Sequence, residues 1–333
     1  MSSREVDSQP LQGEAPNPST SDGKWFSRLL FGLVLGVAVW AGLLFYGDVS
    51  ATLNATKQLS LGALFAALFL STLNYFIRAY RWQRLLHTVG VRIPMGESTV
   101  VFLAGLSMTL TPMKVGEILK SALLKQSRQI PIATTAPVVM AERITDLASM
   151  VLLASIGSLS LDRGYYVAVA GTIFVGAIVA VCTIRPLGEA LLRLCTQLPV
   201  VKHKASSLRD AYDNLGVLVA PAPLFQATVL GLLAWGTHCV ALLVLVRSFP
   251  DVTFSLAESL FAYSTPLLAG TLSMLPGGLG LTEASMAGLL QGMGGPGLTP
   301  AIAAASTILI RLVTFWWAIF VGVASLVLWR RRY

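Results

Sequence analysis

The sequence predicts an all-α polytopic membrane protein, with about six spanning helices and two opposed re-entrant helical hairpins arranged as an inverted repeat. Three observations predict it. Hydrophobic residues make up 55% of the 333-residue chain against 12% charged, and the mean hydropathy is +0.71, whereas soluble domains carry about 25% charge. Lys and Arg gather between the apolar runs, as they do in cytoplasmic loops. Two stretches, Thr109 to Leu124 and Ser273 to Leu290, interrupt apolar sequence with proline, glycine and glutamate, so a helix entering either one breaks and restarts. Lipid cannot satisfy the freed amides and carbonyls, so both breaks belong inside protein or against a watery cavity.

Residues 1–23 are polar and read as a disordered cytoplasmic tail, without the basic start and apolar core of a cleavable signal peptide. Residues 24–330 read as one transmembrane domain. Lys24 and Arg28 precede a first span at about 29–46 and place the amino terminus in the cytoplasm, while Asp48 and Lys57 follow on the outer side. A second span at about 59–80 ends in Arg78, Arg81, Arg84 and Arg92, with Tyr80 and Trp82 expected in the interfacial aromatic belt. The run at 98–111 is short for a span and leads into Lys114, Lys120, Lys125 and Arg128, which a cytoplasmic hairpin broken at Pro112 to Gly116 explains. A third span at about 136–161 carries Glu142, Arg143 and Asp146, and a fourth at about 165–184 returns to a basic amphipathic linker at about 185–222. The fifth span, about 224–246, goes outward. The sixth, about 303–329, ends in Arg330, Arg331 and Arg332, which belong to the cytoplasm. Residues 257–293 must then enter and leave on the outer side, as a second hairpin broken at Pro276 to Gly280.

Repeat one, about 59–161, and repeat two, about 224–329, therefore run in opposite senses. The breaks share the register Pro-x-x-(Val/Leu)-Gly, followed closely by Glu117 or Glu283. Each carboxylate suits a helix cap, and the same exposed amides suit a phosphate or other headgroup anion, with Lys114 or Lys120 adding charge. Arg311 lies inside the last span, where its charge is costly unless paired or wet, so it either snorkels outward, pairs with Glu283 or contacts substrate. Glu142, Arg143 and Asp146 share a helix face and suit an internal ion-pair lock or ligand contact. Arg78, Arg81 and Trp82 read as interfacial anchors that also suit a lipid phosphate. The candidate substrate-binding set is completed by Gly116, Pro276, Gly277, Gly278 and Gly280, and Glu117, Arg143, Glu283 and Arg311 are expected to line one midplane cavity.

The net charge of +8 and pI near 9.6 follow from the loops and point to no nucleic acid. Cys182, Cys195 and Cys239 are scattered, and His87, His203 and His238 stand singly, so no disulfide framework or metal site is expected. No nucleophile-elbow, zinc-protease or phosphate-loop pattern occurs. The sequence points to no cofactor and no enzyme activity.

At NYFIRAYRWQRLL, PMKVGEILKSALL, AERITDLASMVLL, LPGGLGLTEASM and ILIRLVTFWWAIFVG the chain resembles the lysylphosphatidylglycerol synthase transmembrane region family of flippase-like membrane proteins. The resemblance runs from about residue 28 to 330. It falls on Arg81 and Trp82, on Pro112, Gly116 and Glu117, on Glu142, Arg143 and Asp146, on Pro276 to Glu283, and on Arg311. Lys114 departs from the pattern. The resemblance implies movement of an anionic or phosphate-bearing lipid, or lipid-linked headgroup, between leaflets of the cell (inner) membrane, with both termini cytoplasmic. It does not extend to the soluble aminoacyl-transferase domain, so synthase activity is not carried over. A membrane-embedded transferase acting on a phospholipid or polyprenyl carrier, and a non-catalytic partner of a lipid-synthesis enzyme, are the alternatives. Membrane lipids are the expected partners, beside a second copy of the chain or such an enzyme.

Overall fold

A computed structural model describes residues 34–111, 116–159, 161, 164–183, 215–295 and 297–332. Among them the regular elements are all helical: α1 (Val34–Tyr46), α2 (Val49–Gln58), α3 (Leu61–Thr88), α4 (Met95–Leu106), α5 (Leu119–Arg128), α6 (Ile132–Ser158), α7 (Tyr165–Thr183), α8 (Pro221–Arg247), α9 (Leu256–Leu272), α10 (Leu281–Met293) and α11 (Pro300–Arg330). Local chemistry sets several starts. Asp48 Oδ1 accepts from Ala51 N at the head of α2, Ser255 and Glu258 form a reciprocal capping box on α9, and Thr299 with Pro300 opens α11.

By length and composition α3, α8 and α11 can each cross a membrane, and the pair α1 and α2, bent by 95°, supplies a fourth crossing if taken as one. α6 has 27 residues, about 40 Å at 1.5 Å per residue, but its apolar run holds Glu142, Arg143 and Asp146. Two boundaries differ from the expected ones. The segment around Asp48 and Lys57 is the helix α2. The second span continues to Thr88, two turns beyond Tyr80, so Arg78, Arg81 and Trp82 ride on an intact helix. Most of the 185–222 linker lies outside the described residues, as do Pro112 and Lys114.

Helices α3 to α6 and α8 to α11 form two blocks of one pattern: a long helix, a short one, a break, a short one and a long one. α3 and α8 pack along their lengths. Asn74 Nδ2 donates to Ala234 O at 2.7 Å and Arg84 Nη2 to Gln226 Oε1 at 3.1 Å, so numbering rises on one as it falls on the other and the helices are antiparallel. Packing is also exchanged between blocks: α4 lies against the second half of α11, and α9 against α6. A glycine permits each crossing, because a Cβ on Gly322 would fall 2.2 Å from Ser107 N and one on Gly157 would fall 2.5 Å from Phe261 N. Two large apolar clusters form the core and a small one, Leu110, Leu279 and Phe315, touches both breaks, while Phe65, Phe69, Phe225 and Phe320 face outward as a lipid-facing surface would.

The second break is described in full. α9 ends at Leu272, a single 3₁₀ turn covers Pro276–Gly278, and α10 starts at Leu281. Gly277 and Gly278 have φ of +61° and +67°, the left-handed region that side chains make costly. The turn also packs tightly, since a Cβ on Gly277 would lie 2.4 Å from the Phe315 ring. Gly277→Ala should therefore lower stability by about 1–3 kcal/mol, read as a lower unfolding midpoint in detergent. Gly236→Ala, whose new Cβ meets nothing within 4 Å, should leave that midpoint unchanged.

Candidate functional site: an ion network and a cavity between two helix breaks

The first break is held by charge. α3 carries Asn74, Tyr75, Arg78, Arg81 and Trp82 on one helical face, and α6 brings Glu142 and Asp146, four residues apart, against it. Arg81 Nη2 donates to Asp146 Oδ1 at 2.6 Å, and the Trp235 indole N–H of α8 donates to the same oxygen at 2.9 Å. Lys120 of α5 bonds Glu142 closely and stands 3.4 Å from Glu117. Arg143 donates to Glu117 Oε2 at 2.6 Å and lies 3.3 Å from Asp146. Arg78 is 3.7 Å from Asp146 Oδ2, and Arg81 is 4.0 Å from Glu142. Among the described residues this network joins four cations, Arg78, Arg81, Lys120 and Arg143, to three carboxylates, Glu117, Glu142 and Asp146.

Burial makes these contacts decisive. The side chains of Arg81 and Glu142 are 0% exposed and that of Lys120 is 1% exposed; taking such ions out of water is offset only by close partners and hydrogen bonds. Rings add to the offset. Lys120 Nζ lies 4.5 Å from the Trp82 ring centre and 5.0 Å from that of Phe102, while Arg78 lies over Phe102 and Trp235. Gly105 leaves the space, because a Cβ there would be 2.6 Å from Lys120 Cγ.

The second break is held by glycine backbone and one ion pair. Glu283, in the first turn of α10, accepts from Gly280 N at 2.7 Å through Oε2 and from Arg311 Nε at 2.5 Å through Oε1. Arg311 Nη2 also donates to Gly277 O at 3.1 Å, and its guanidinium sits 4.1 Å from the Phe315 ring centre. Glu283 thus caps the restarted helix and fixes α11 to the turn. Beyond Arg311, residues Leu312–Trp316 form a π-helical turn; the Tyr75 hydroxyl donates to Thr314 O at 2.6 Å within it. Such turns are frequent at functional sites.

Between the breaks lies a cavity of about 80 Å³, room for several waters. Thr109, Thr111 and Glu117 of the first break share its wall with Gly277, Gly278 and Thr282 of the second. Arg78 and Tyr75 from α3, Trp235 and His238 from α8, Tyr263 and Thr271 from α9, and Arg311 and Thr314 from α11 complete the polar lining. The Tyr263 hydroxyl and His238 Nδ1 are 2.9 Å apart. Among the described residues no group of three or more His, Cys, Asp and Glu side chains is placed to hold a metal ion.

Of the residues singled out in the sequence, Arg78, Glu117, Gly277, Gly278 and Arg311 meet at this cavity. Arg143 and Glu283, expected on its wall, stand one layer back as the partners of Glu117 and Arg311. Arg81, Glu142 and Asp146 belong to the ion network, and Gly116, Pro276 and Gly280 shape the breaks. Trp82, expected in an interfacial belt, is 0% exposed, because α4 and α5 cover its face of α3. From sequence, Lys120 has only a supporting part and Tyr75, Trp235 and His238 have none. The spacing of Glu117 to Lys120 and the polar stripe at Asn74, Arg78 and Arg81 were readable signals; Trp235 and His238 had none.

Removing one member of a buried pair strands the other. Arg311→Met should cost about 3–5 kcal/mol of stability, and the double variant Glu283→Gln/Arg311→Met should recover much of it. Denaturant titrations of the two variants against the parent check this.

The profile of the family described as the lysylphosphatidylglycerol synthase TM region matches residues 33–322 of the chain. A UPF0104 membrane protein of Methanothermobacter thermautotrophicus is 35% identical over 95 residues, a stretch that covers 28% of this chain and 27% of that relative. The matched residues run from the first described helix, through both breaks and the ion network, into the last helix. On that extent, the chain belongs to the lysylphosphatidylglycerol synthase TM region family.

Proposed function

We propose that this protein moves a lipid or lipid-linked headgroup between membrane leaflets, using the cavity between two opposed re-entrant hairpins. The observation that carries this reading is that one cavity touches both helix breaks and has Arg78, Glu117 and Arg311 on its wall. Breaks of this kind belong where backbone lines a polar cavity at membrane depth, and a headgroup crossing hydrocarbon needs such a surface. The antiparallel α3 and α8 and the exchanged packing of α4 and α9 support an inverted repeat, in which rocking of one unit against the other opens a fixed site to each side in turn. In this reading, residues 24–330 form one transmembrane domain, and the arginines at 330–332 lie in the cytoplasm with the amino terminus. The protein acts as a transporter and not as an enzyme.

Reconstitution into liposomes with headgroup-labelled phospholipids tests the proposal. The folded protein should speed leaflet exchange of at least one lipid class over protein-free vesicles. Ala318→Trp, which fills the wall at a buried small residue, should slow that exchange at least about tenfold, about 1.4 kcal/mol of added barrier. Exchange no faster than in empty vesicles across anionic, zwitterionic and glycosylated lipids would sink the reading.

A further inference from the structure

Helix α11 is tied to both breaks, each through a different half. Its first half ends at Arg311, which bonds Glu283 and Gly277 O and so fixes that half to the second break. Its second half, from Trp317 on, lies against α4, and Gly322 comes so close to Ser107, where the first break begins, that a Cβ would fall 2.2 Å from its N. Between the halves stands the π-helical turn Leu312–Trp316, in which the Trp317 N–H reaches back to Leu312 O. Phe315 of this turn, Leu110 of the first break and Leu279 of the second form one small buried cluster. Helices kink at π turns, which are frequent at functional sites.

Side chains of α3 hold the turn from outside. The Tyr75 hydroxyl donates to Thr314 O at 2.6 Å, and the Trp317 indole N–H donates to Thr72 Oγ1 at 3.0 Å, so α3 grips the turn on both sides of Phe315. Thr314 O accepts within the turn itself, and the Tyr75 bond therefore lasts only while the turn keeps its register. Tyr75 and Thr314 both line the cavity, where water can take the place of either partner. The bond can thus break and re-form, as a latch must.

We propose that Leu312–Trp316 is the hinge about which the two helix breaks move relative to one another, and that Tyr75 is the positioning residue that holds it in the conformation seen. Bending there swings the half of α11 that carries α4 and the first break against the half locked to Glu283 and the second break. The surface that slides is the apolar contact of Leu110 and Leu279 around Phe315. Its ion pairs do not oppose the movement: Arg311 and Glu283 stay together on one side, and the pairs of the first break stay together on the other. The movement needs no particular cargo and stands apart from the transport reading above.

Spin labels at Met95 on α4 and Leu272 at the end of α9, both exposed, report the distance between the two units. They are placed on the full chain with its three cysteines replaced by alanine, in phosphatidylcholine nanodiscs. Two distances should be populated, and Tyr75→Phe should change their ratio about fivefold, the effect of one ordinary hydrogen bond. Deletion of Leu312, which faces outward, returns the turn to α-helix and keeps the faces of both halves. The shortened chain should show a single distance and an equal or higher melting temperature, and Tyr75→Phe should then leave the distance unmoved. A Tyr75 that only stabilises the fold would lower the melting temperature and leave the parental ratio alone. One distance in the parent, an unchanged ratio in Tyr75→Phe, or two distances that survive the deletion each overturns the hinge; if the shortened chain does not fold, the Tyr75→Phe ratio decides. Distances that move without leaflet exchange overturn the transport reading alone, and exchange with one fixed distance overturns the hinge alone.

Discussion

A broken helix and an ionised side chain pose the same problem inside an apolar body: each exposes polar atoms that hydrocarbon cannot satisfy. This protein brings both together, and much of its architecture is the answer. Charges from α3, α5 and α6 converge where the first block breaks, and Trp235 reaches in from the other block to share Asp146. Removing the fold around them would leave several uncompensated ions. Their presence therefore fixes which helix faces meet, and apolar packing fills in around that choice.

The two breaks solve the problem by different means. At the second, left-handed glycines let the backbone turn within a few residues, and a single carboxylate satisfies both a helix amide and Arg311. At the first, a network of seven ionisable side chains does the holding. Pseudosymmetry in the helices is thus not matched in the chemistry. One side of the cavity is a compact neutral pair against glycine backbone; the other is an extended network that, among the described residues, joins four cations to three carboxylates.

Much of this was legible in the sequence. Composition required helices, the Pro-Gly stretches required breaks, and the lone Arg311 in an apolar helix called for a partner close by, which Glu283 supplies. The family resemblance, from about residue 28 to 330, rests on those same features, and the family match covers residues 33–322 within it. Less legible was α3. Its apolar residues run around the whole helix, so periodicity does not mark an inner face, and a cluster of arginines near a helix end looks like a headgroup anchor. Arg81 and Trp82 are buried because α4, α5 and α6 close over them, a fact that belongs to the packing of distant segments.

The sequence by itself determined the kinds of element and the inventory of polar groups carried into them. Local chemistry suffices for that, since a proline, a left-handed glycine or a capping glutamate acts within a turn or two of its own position. The tertiary structure alone decided which cation answers which carboxylate, that Arg143 and Glu283 stand behind the cavity wall, and that Arg78 stands on it. The closest pairs, Arg81 with Asp146, Lys120 with Glu142, Arg143 with Glu117 and Arg311 with Glu283, join residues 22 to 65 positions apart in the chain. Its outcome depends on ångström-scale distances and on shared desolvation, neither of which exists until the helices have packed.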